Sequence, residues 1–405
     1  MNGEKLRAQK DRILSFTLIG IRHVCEHLPP RAPGSAGERE AARYMAGLLE
    51  KECGCESVRI EGFETHPDGF YGYLYFSAAL DLGCCACFFF SPYLSIVFGL
   101  GAVFLMLFQF VLYPEVVDRF FSKRVSTNVT AERGCAGQAR RRVFLTGHMD
   151  AAWEWPLQYH CGGAVFEAHS VGAVIGVLLY LFLCVCKLSG AGAWVTPAGL
   201  CGLIFVPFWI GLIFLRNKKR TVGGANDDLT GCFLAIGLLK AMEDAGIRPE
   251  HTITGVILTG SEECGLKGAK AWCRAHKHEY SDVPTLIISI DTIHHPQNLM
   301  VNERDLNGTV KCDKALAGLI REAAADLDLT CEKGAVPLMG GATDAAAFAK
   351  AGFRAVAVTG LDHKLEPYYH TRRDTFDALD PEGIGNCFEV LTRALEKIDA
   401  GETDA

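Results

Sequence analysis

Acidic and histidine side chains follow short apolar segments at two points of this 405-residue sequence. VFLTG (143–147) is followed by His148 and Asp150, and TITGVILTG (252–260) is followed by Glu262 and Glu263. A histidine that binds a metal uses a carboxylate on its other ring nitrogen to fix its tautomer, and Asp150 can supply one. Of two adjacent glutamates, one can bind a cation while the other accepts a proton from metal-bound water. Taken singly, both pairs are also typical of ordinary solvated surface residues.

Three more candidates occur farther along the chain. Asp227, in GGANDDLTG (223–231), precedes an apolar segment, so it can either cap a helix or bridge two cations. Asp291 follows the uncharged segment TLIISI (285–290), and a carboxylate at the end of a buried strand indicates a positive partner. His370 lies in EPYYHTRRDTFD with Asp374 four residues later, and taken singly it is also typical of a surface imidazole.

The candidate side chains all carry imidazole nitrogens or carboxylate oxygens, and all lie at predicted strand ends or in loops. Imidazole nitrogens and carboxylate oxygens without thiolate are the ligands expected of a hydrolytic zinc pair, with room for water. In chain order the candidate ligands are His148, Asp227, Glu263, Asp291 and His370. Chance assembly of such an ordered set is improbable, so the pattern predicts a metal site.

The segments before these residues predict the elements that position them. The runs 143–147, 252–260, 285–290 and 355–360 are short and mostly apolar, which is typical of strands buried on both faces. Helical spacing of apolar residues occurs in 38–50 and 231–243. Alternation of strands and helices predicts an α/β fold, a three-layer α/β/α sandwich with a mixed, mostly parallel sheet. Ligands in such folds bind at the carboxyl ends of the strands.

Two long apolar stretches interrupt this pattern. Residues 74–113 contain only Asp81 as a charge, and residues 170–215 contain only Lys187. Each stretch is long enough for two membrane spans of about 20 residues. Ser91-Pro92 and the segment 187–192 divide them, so the sequence predicts two transmembrane helical hairpins. The alternative, buried core helices of a soluble protein, requires unusually long helices without a polar face.

Charge and cysteine content indicate the compartment. Basic residues follow the hairpins, whereas the hairpin tips offer only Lys187, and this favours a cytoplasmic side for the polar segments of a multi-pass protein of the cell (inner) membrane. Those basic residues are Arg119, Lys123, Arg124, Arg216, Lys218, Lys219 and Arg220. The 17 cysteines, an odd number, argue against a disulfide scaffold and agree with a reducing compartment. A net charge of −7 gives no reason to expect nucleic acid as a partner, and the charged N-terminus lacks the features of a cleaved export signal.

The polar segments resemble the M28 co-catalytic zinc aminopeptidases. The matching motifs, in order, are RAPGSAGEREAARYM, VFLTGHMD, GGANDDLTG, TGSEECGLKG, IISIDT, GGATDAAAFAKAGF and YYHTRRDT. The resemblance implies that two zinc ions are bound, one by His148 and Asp291 and the other by Glu263 and His370, with Asp227 between them. It also implies that Asp150 orients His148 and that Glu262 is the general base. Thr343 and Asp344 match a position near the site, for which structural support is the simpler role.

The resemblance implies an aminopeptidase that removes N-terminal residues of peptides through a metal-bridging water. The apolar hairpins, which are insertions relative to the usual soluble domain of the family, predict that this enzyme is membrane-anchored. Its domain is predicted to be discontinuous, covering 1–73, 114–169 and 216–405, with hairpins 74–113 and 170–215 inserted. The hairpins can be a path for hydrophobic peptides, although an anchor in the lipid bilayer is the simpler interpretation. Glutaminyl cyclases share the fold but use one zinc and a Trp before the final His, where this sequence has Tyr369. Cyclisation or another amide hydrolysis therefore remains an alternative, as does an inactive membrane scaffold.

Overall fold

An eight-stranded sheet lies at the centre of the computed structural model, which describes residues 1–362 and 365–402. The strands are β1 Ser57–Thr65, β2 Arg124–Arg133, β3 Arg141–His148, β4 Trp153–Glu154, β5 Asn217–Thr221, β6 Thr252–Thr259, β7 Thr285–Asp291, β8 Met300–Asn302, β9 Arg304–Asp305, β10 Val310–Lys311, β11 Glu332–Gly334 and β12 Arg354–Thr359. Their order in the sheet is β1-β2-β6-β3-β7-β12-β8-β11. The central strands β6, β3, β7 and β12 are parallel, whereas β2 and β8 pair with them antiparallel.

The described residues form fourteen α-helices, which either cover the two faces of this sheet or belong to a separate bundle. They are α1 Gly3–Arg7, α2 Lys10–His27, α3 Ala36–Glu52, α4 Pro67–Phe88, α5 Pro92–Leu105, α6 Pro156–Cys161, α7 Gly163–Leu188, α8 Val195–Cys201, α9 Val206–Leu212, α10 Thr230–Asp244, α11 Lys267–His276, α12 Lys314–Ala325, α13 Asp344–Ala351 and α14 Pro381–Ala400. One core includes Met45 of α3, Phe233 of α10 and Leu391 of α14. The core on the other face includes Trp272 of α11 and Phe348 of α13. The predicted three-layer α/β/α class is confirmed.

The buried strands form where the apolar segments predicted them. Every residue of β3 is buried, and β7 is buried up to its last residue, because both strands lie in the middle of the sheet with helices on each face. The predicted helices 38–50 and 231–243 lie within α3 and α10. Ser35 caps α3, since its hydroxyl accepts the backbone N–H of Glu38 at 3.2 Å. These elements deliver the candidate residues to the carboxyl edge of the sheet.

The two apolar stretches form a separate helical bundle. Within the part of the chain that the structure describes, three helical segments are long and apolar enough to cross a membrane, namely Pro92–Val111, Gly163–Leu188 and Val195–Leu212. The fourth predicted span corresponds to α4, which begins at Pro67, before the predicted boundary at 74, and contains Asp68 and Asp81. These charges lower the mean hydropathy of α4, so it does not qualify as a membrane span by composition. It nevertheless packs against α5, α7 and α9. Three of the four expected spans therefore satisfy the length and composition required of a membrane helix.

The bundle has its own core and an apolar outer surface. Phe88, Tyr180 and Trp209 are buried between the helices, while Val97 and Phe182 are among the large apolar side chains exposed on the outside. An apolar outer surface of this kind is expected where helices contact lipid. Residues 363–364 and 403–405, which belong to the predicted polar segment 216–405, lie outside the described residues.

Candidate metal centre

Asp227 lies between the two candidate imidazoles. Its Oδ1 is 3.1 Å from Nε2 of His148, and its Oδ2 is 3.2 Å from Nε2 of His370. His148 is the last residue of β3, Asp227 lies three residues before the start of α10, and His370 lies in the loop that leads to α14. All three side chains are buried. Residues more than two hundred positions apart in the chain thus meet around a single carboxylate.

Asp291 and Glu263 complete two overlapping groups around Asp227. One group contains His148, Asp227 and Asp291, and the other contains Asp227, Glu263 and His370. In each group the potential ligand atoms all lie within 4.8 Å of one another, and Nε2 of His370 is 3.2 Å from Oε2 of Glu263. All five residues predicted as metal ligands are therefore brought together, and Asp227 is shared between the groups.

The chemistry of these side chains fits a divalent cation. Glu263 Oε1 and His370 Nδ1 are buried and have no hydrogen-bond partner within residues 1–362 and 365–402. Buried polar atoms without a partner are costly, and a bound cation can satisfy a carboxylate oxygen in such a place. Burial raises the pKa of Asp291 to about 7, and the charge of Asp227 adds to this effect. Burial likewise raises the pKa of Glu263, so positive charge in the site stabilises its carboxylates.

Protons on the imidazoles provide some of that positive charge. Burial alone would lower the pKa of His370, but the charge of Glu263 and hydrogen bonds to Asp227 and Glu263 raise it to about 10. For His148, burial is likewise outweighed by contacts with Asp150 and Asp227, so its pKa is raised. The hydrogen bonds from both imidazoles hold the pKa of Asp227 below its usual range despite its burial. Because metal ligands must be deprotonated, a divalent ion can replace these protons.

Asp150 connects His148 to the glutamate pair. Its Oδ1 accepts the backbone N–H of Glu262 at 3.1 Å, and its Oδ2 accepts the backbone N–H of Glu263 at 3.2 Å. The backbone carbonyl of Asp150 lies 3.2 Å from Nδ1 of His148, closer than the carboxylate at 3.5 Å. Asp150 is thus placed to orient His148, as the resemblance implies, and it also fixes the backbone that carries both glutamates.

Glu262 lies beside both metal-ligand groups. Its Oε2 is 3.9 Å from Nε2 of His148, and its side chain lines a cavity of about 440 Å³ together with Glu263 and His370. Burial raises the pKa of Glu262 well above the value of a free glutamate, although the charge of His148 opposes this effect. This carboxylate can therefore exchange a proton with a molecule that enters from the cavity.

Asp228 is a supporting residue that the sequence did not reveal. Its Oδ2 accepts the backbone N–H of His148 at 3.0 Å, and its Oδ1 accepts those of Gly231 at 2.9 Å and Thr292 at 3.2 Å. Asp228 thus joins the ends of β3 and β7 to the start of α10. The only sign of Asp228 in the sequence is that it follows Asp227 directly. Because the two side chains are identical, the sequence alone does not show which of them faces the backbone groups.

Asp374 holds the loop that carries Asp227. Its Oδ1 accepts the backbone N–H of Asn226 at 2.8 Å, and its Oδ2 accepts the backbone N–H of Asp227 at 3.2 Å. Burial raises the pKa of Asp374 to about 7. The sequence placed Asp374 four residues after His370 but gave it no role, because its partners are backbone groups far away in the chain.

Trp155 and Tyr369 form an aromatic wall on His370. The ring centroids of Trp155 and His370 are 4.2 Å apart, and Tyr369 stacks on His370 at the same distance. The backbone N–H of Trp155 donates to the carbonyl of His370 at 2.9 Å. Its indole N–H donates to the hydroxyl of Tyr71, on α4, at 3.2 Å. Nothing in the local sequence around Trp155 indicated this contact.

Four further polar residues near the site, among them Thr343 and Asp344 of the family motif, have structural partners of their own. His294 Nε2 lies 2.7 Å from the carbonyl of Ala378, and His295 lies near Asp380. Asp344 accepts a hydrogen bond from the hydroxyl of Thr259, while the hydroxyl of Thr343 accepts the backbone N–H of Ala345. These residues are outside the metal-ligand groups that the described residues form.

An α/β/α sandwich with histidines and carboxylates clustered at the carboxyl edge of its sheet is an arrangement that can hold metal ions. Residues 212–395 match Peptidase family M28. This match agrees with the resemblance seen in the motifs and supports a zinc metallo-exopeptidase. The matched range contains Asp227, Glu262, Glu263, Asp291 and His370, whereas His148 precedes it. No curated protein sequence matches the chain significantly.

Solved structures share the fold at low sequence identity. An aminopeptidase from Aneurinibacillus sp. strain AM-1 has a TM-score of 0.58 and 13% identity, covering 98% of this chain and 95% of that chain. A zinc aminopeptidase from Bacillus subtilis has a TM-score of 0.57 and 14% identity, covering 95% of both chains. A glutaminyl cyclase from Fimbriiglobus ruber has a TM-score of 0.55 and 13% identity, covering 95% of this chain and 94% of that chain. At these identities the likeness concerns the fold.

Proposed function

We propose that the protein is a membrane-anchored aminopeptidase that removes N-terminal residues from peptides with two bound zinc ions. The observation that carries this proposal is the position of Asp227, whose two oxygens face His148 and His370 at 3.1 and 3.2 Å. A carboxylate shared between two ligand groups is what a pair of adjacent cations requires. His148 and Asp291 would hold one zinc, Glu263 and His370 would hold the other, and Asp227 would contact both.

In this mechanism zinc would supply Lewis acidity, and the protein would supply the group that transfers the proton. When bound, zinc supplies Lewis acidity, which lowers the pKa of water from about 15.7 towards about 7 and polarises the scissile carbonyl. Glu262 acts as the general base, and its Oε2, 3.9 Å from His148 Nε2, is the atom that receives the proton. Asp150 keeps this glutamate in place through the hydrogen bond to its backbone N–H.

Hydrolysis of the peptide bond forms one bond to carbon, breaks another and moves one proton through Glu262. The oxygen of water forms a bond to the carbonyl carbon, and one water proton passes to Glu262. The bond between the carbonyl carbon and the amide nitrogen breaks, and Glu262 delivers its proton to that nitrogen. The products are an amine and a carboxylic acid, which retains the second proton of the water until it ionises, and Glu262 returns to its ionised form. The raised pKa of Glu262 suits a group that both accepts and donates a proton.

Membrane anchoring is supported by the ends of the helical bundle. Lys187 Nζ donates to the carbonyl of Phe88 at 2.8 Å, which places the tips of the two hairpins together. Arg216 pairs with Asp68 at 2.6 Å at the opposite end, next to the peptidase domain. The excess of basic residues at this end favours a cytoplasmic peptidase domain formed by 1–73, 114–169 and 216–405. All seventeen cysteines are free, which agrees with that compartment.

Insertion of an epitope tag tests the orientation. A tag at Gly190, an exposed hairpin-tip residue, should bind antibody on intact cells. A tag at the exposed Gly246, in the turn after α10, should bind only after permeabilisation. The reverse pattern would overturn the cytoplasmic assignment.

Substrate and metal assays test the activity. We expect purified protein to carry two zinc ions per chain and to hydrolyse leucinamide but not N-acetyl-leucinamide. Formation of pyroglutamate from a peptide with N-terminal Gln would favour a cyclase instead. Protein that binds no zinc and cleaves none of these compounds would be an inactive scaffold.

A further inference from the structure

One cavity connects the candidate metal centre with the interior of the helical bundle. Its volume is about 440 Å³, within the range of pockets that bind small ligands. At one end it is lined by Glu262, Glu263 and His370, and deeper in the bundle it is lined by Ala102 of α5 and Val177 of α7. The inserted hairpins thus form a large part of the wall of the space that reaches Glu262.

The length of the cavity can be estimated from the residues of α4 that line it. Phe70, Leu74, Ser77 and Asp81 line it at intervals of three or four residues. Phe70 is next to the site, since its ring packs against Gly265, which follows the glutamate pair. With a rise of about 1.5 Å per residue, the wall from Phe70 to Ser77 is about 10 Å long. Tyr73 and Leu74 are apolar surface within this stretch, whereas Ser77 and Asp81 make its inner end polar.

The walls favour hydrocarbon over peptide. Ala102 and Val103 of α5 and Ala173, Val174 and Val177 of α7 face the cavity. Backbone N–H and C=O groups within these helices already bond to each other, so they offer no partners to a guest. An extended peptide would bury its own N–H and C=O groups there without partners, at considerable cost. A hydrocarbon chain has no such groups.

Apart from the exposed Glu167, the mouth of the cavity is apolar as well. Leu338 and Met339 line it and are exposed to solvent. Trp155, which also lines it, packs against His370 on one side and stacks on Phe166 with ring centroids 4.4 Å apart. A substrate that reaches Glu262 through this cavity meets aromatic and aliphatic surface before it meets the carboxylates.

We propose that the substrate of the M28 site is an aminoacyl amide bearing a single hydrocarbon chain of about octyl length, which lies in the cavity between α4, α5 and α7 while its amide lies at Glu262. This inference rests on the proposed aminopeptidase function and specifies its substrate class. The chain can be attached on either side of the scissile amide. It can be the side chain of the N-terminal residue or a substituent on the leaving amine.

A homologous series tests the proposal in protein reconstituted into lipid nanodiscs. The probes are leucine amides of ethyl-, butyl-, octyl- and dodecylamine. On the acyl side they are the amides of α-aminobutyric, α-aminodecanoic and α-aminotetradecanoic acid, whose side chains are ethyl, octyl and dodecyl. Each methylene buried should contribute about 0.8 kcal/mol, or about fourfold in kcat/KM. We expect kcat/KM to rise at least about 100-fold from ethyl to octyl in one of the two arms and then to level off at dodecyl, where the chain reaches Ser77 and Asp81. Chain-length independence in both arms would overturn the proposal.

Two neighbouring residues of α7 provide matched variants. Val177 lines the cavity, whereas Leu178 is exposed on the outer surface of the bundle. Val177→Phe should lower the ratio of octyl to ethyl kcat/KM at least tenfold, and Leu178→Phe should leave that ratio unchanged. Val103→Phe on α5 serves as a second cavity variant if Val177→Phe does not fold. Equal effects of the cavity variants and Leu178→Phe would contradict the assignment.

Binding to Glu262→Gln separates this proposal from the proposed function. Radiolabelled leucine octylamide should bind the variant in nanodiscs, and addition of Val177→Phe should weaken binding at least tenfold. If wild-type protein hydrolyses none of the probes but this binding pattern holds, the catalytic proposal fails and the cavity assignment stands. If the ethylamide is hydrolysed while the octylamide binds no better than the ethylamide, the cavity assignment fails and the catalytic proposal stands.

Discussion

The carboxylate of Asp150 accepts the backbone N–H of Glu262 at 3.1 Å. Its other oxygen accepts the N–H of Glu263, so one side chain fixes both the candidate base and a candidate metal ligand. Asp150 in turn contacts His148, which makes it the residue through which the two strand ends are coupled. The positions of base and ligands are therefore not independent of each other.

Asp150→Asn should misplace the glutamate pair without removing a metal ligand. An amide group keeps one acceptor oxygen but replaces the other with a donor, so one of the two backbone N–H groups loses its partner. We expect zinc affinity to fall about 10- to 100-fold. We also expect kcat at saturating zinc to remain at least about tenfold below that of the wild type.

Zinc titrations followed by steady-state kinetics measure both effects of Asp150→Asn. Asp282→Asn, which alters an exposed carboxylate paired with Arg142, is the control and should change neither quantity. Full recovery of kcat at high zinc would mean that Asp150 acts only on metal affinity.

Glu262→Gln should retain zinc and lose turnover. Glutamine has nearly the same shape but cannot accept the proton of the attacking water, and general base catalysis contributes typically 10²- to 10⁴-fold. We expect kcat to fall at least about 100-fold while zinc per chain, measured by inductively coupled plasma mass spectrometry, is unchanged. Glu26→Gln, on the exposed surface of α2, is the matched control. Rates like those of wild-type protein in Glu262→Gln would exclude this residue as the base.

Asp227 and His370 should differ in how many zinc ions their loss removes. Asp227 belongs to both ligand groups, whereas His370 belongs to one. Asp227→Ala should therefore lose both ions and all activity, while His370→Ala should keep the ion held by His148 and Asp291. Metal analysis after dialysis against low zinc distinguishes the two cases. Equal stoichiometry in the two variants would contradict a bridging position for Asp227.

The sequence predicted the parts of the fold that depend on local pattern. Uncharged segments such as 285–290 became buried strands because the middle of a sheet covered on both faces accepts only apolar side chains. Strand ends such as His148 then had to converge, since parallel strands bring their carboxyl ends to one edge. Periodicity and spacing were sufficient for these residues.

Other features depend on tertiary contacts that a single sequence does not display. Asp374 binds backbone groups near Asp227, about 150 residues away, and a backbone N–H leaves no signature in the sequence. Trp155 reaches His370 through a fold that brings two distant loops together. The cavity arises only when α4, α5 and α7 pack around a gap, so the anchor role of the hairpins looked simpler from hydropathy alone.

Asp374→Asn should destabilise the loop that carries Asp227. The carboxylate accepts backbone N–H groups of Asn226 and Asp227, and a buried donor without a partner costs about 1–3 kcal/mol. We expect a lower Tm together with weaker zinc binding, because the loop no longer holds Asp227 in place. Asp377→Asn, at a nearby exposed position, is the control. A normal Tm in Asp374→Asn would show that these hydrogen bonds contribute little.

Zinc itself should stabilise the protein. The carboxylates of Asp227, Glu263 and Asp291 lie close together and repel one another. A ligand that binds only the folded state adds about 2.7 kcal/mol at a concentration 100 times its Kd. Saturating zinc should thus raise the Tm of chelator-treated protein, and renewed chelation should lower it again. Glu262→Gln should show the same rise as wild-type protein, since it retains the ligands, whereas Asp227→Ala should show little or none. A rise of equal size in Asp227→Ala would mean that the stabilising ion binds elsewhere, and it would remove the main support for a metal centre around this carboxylate.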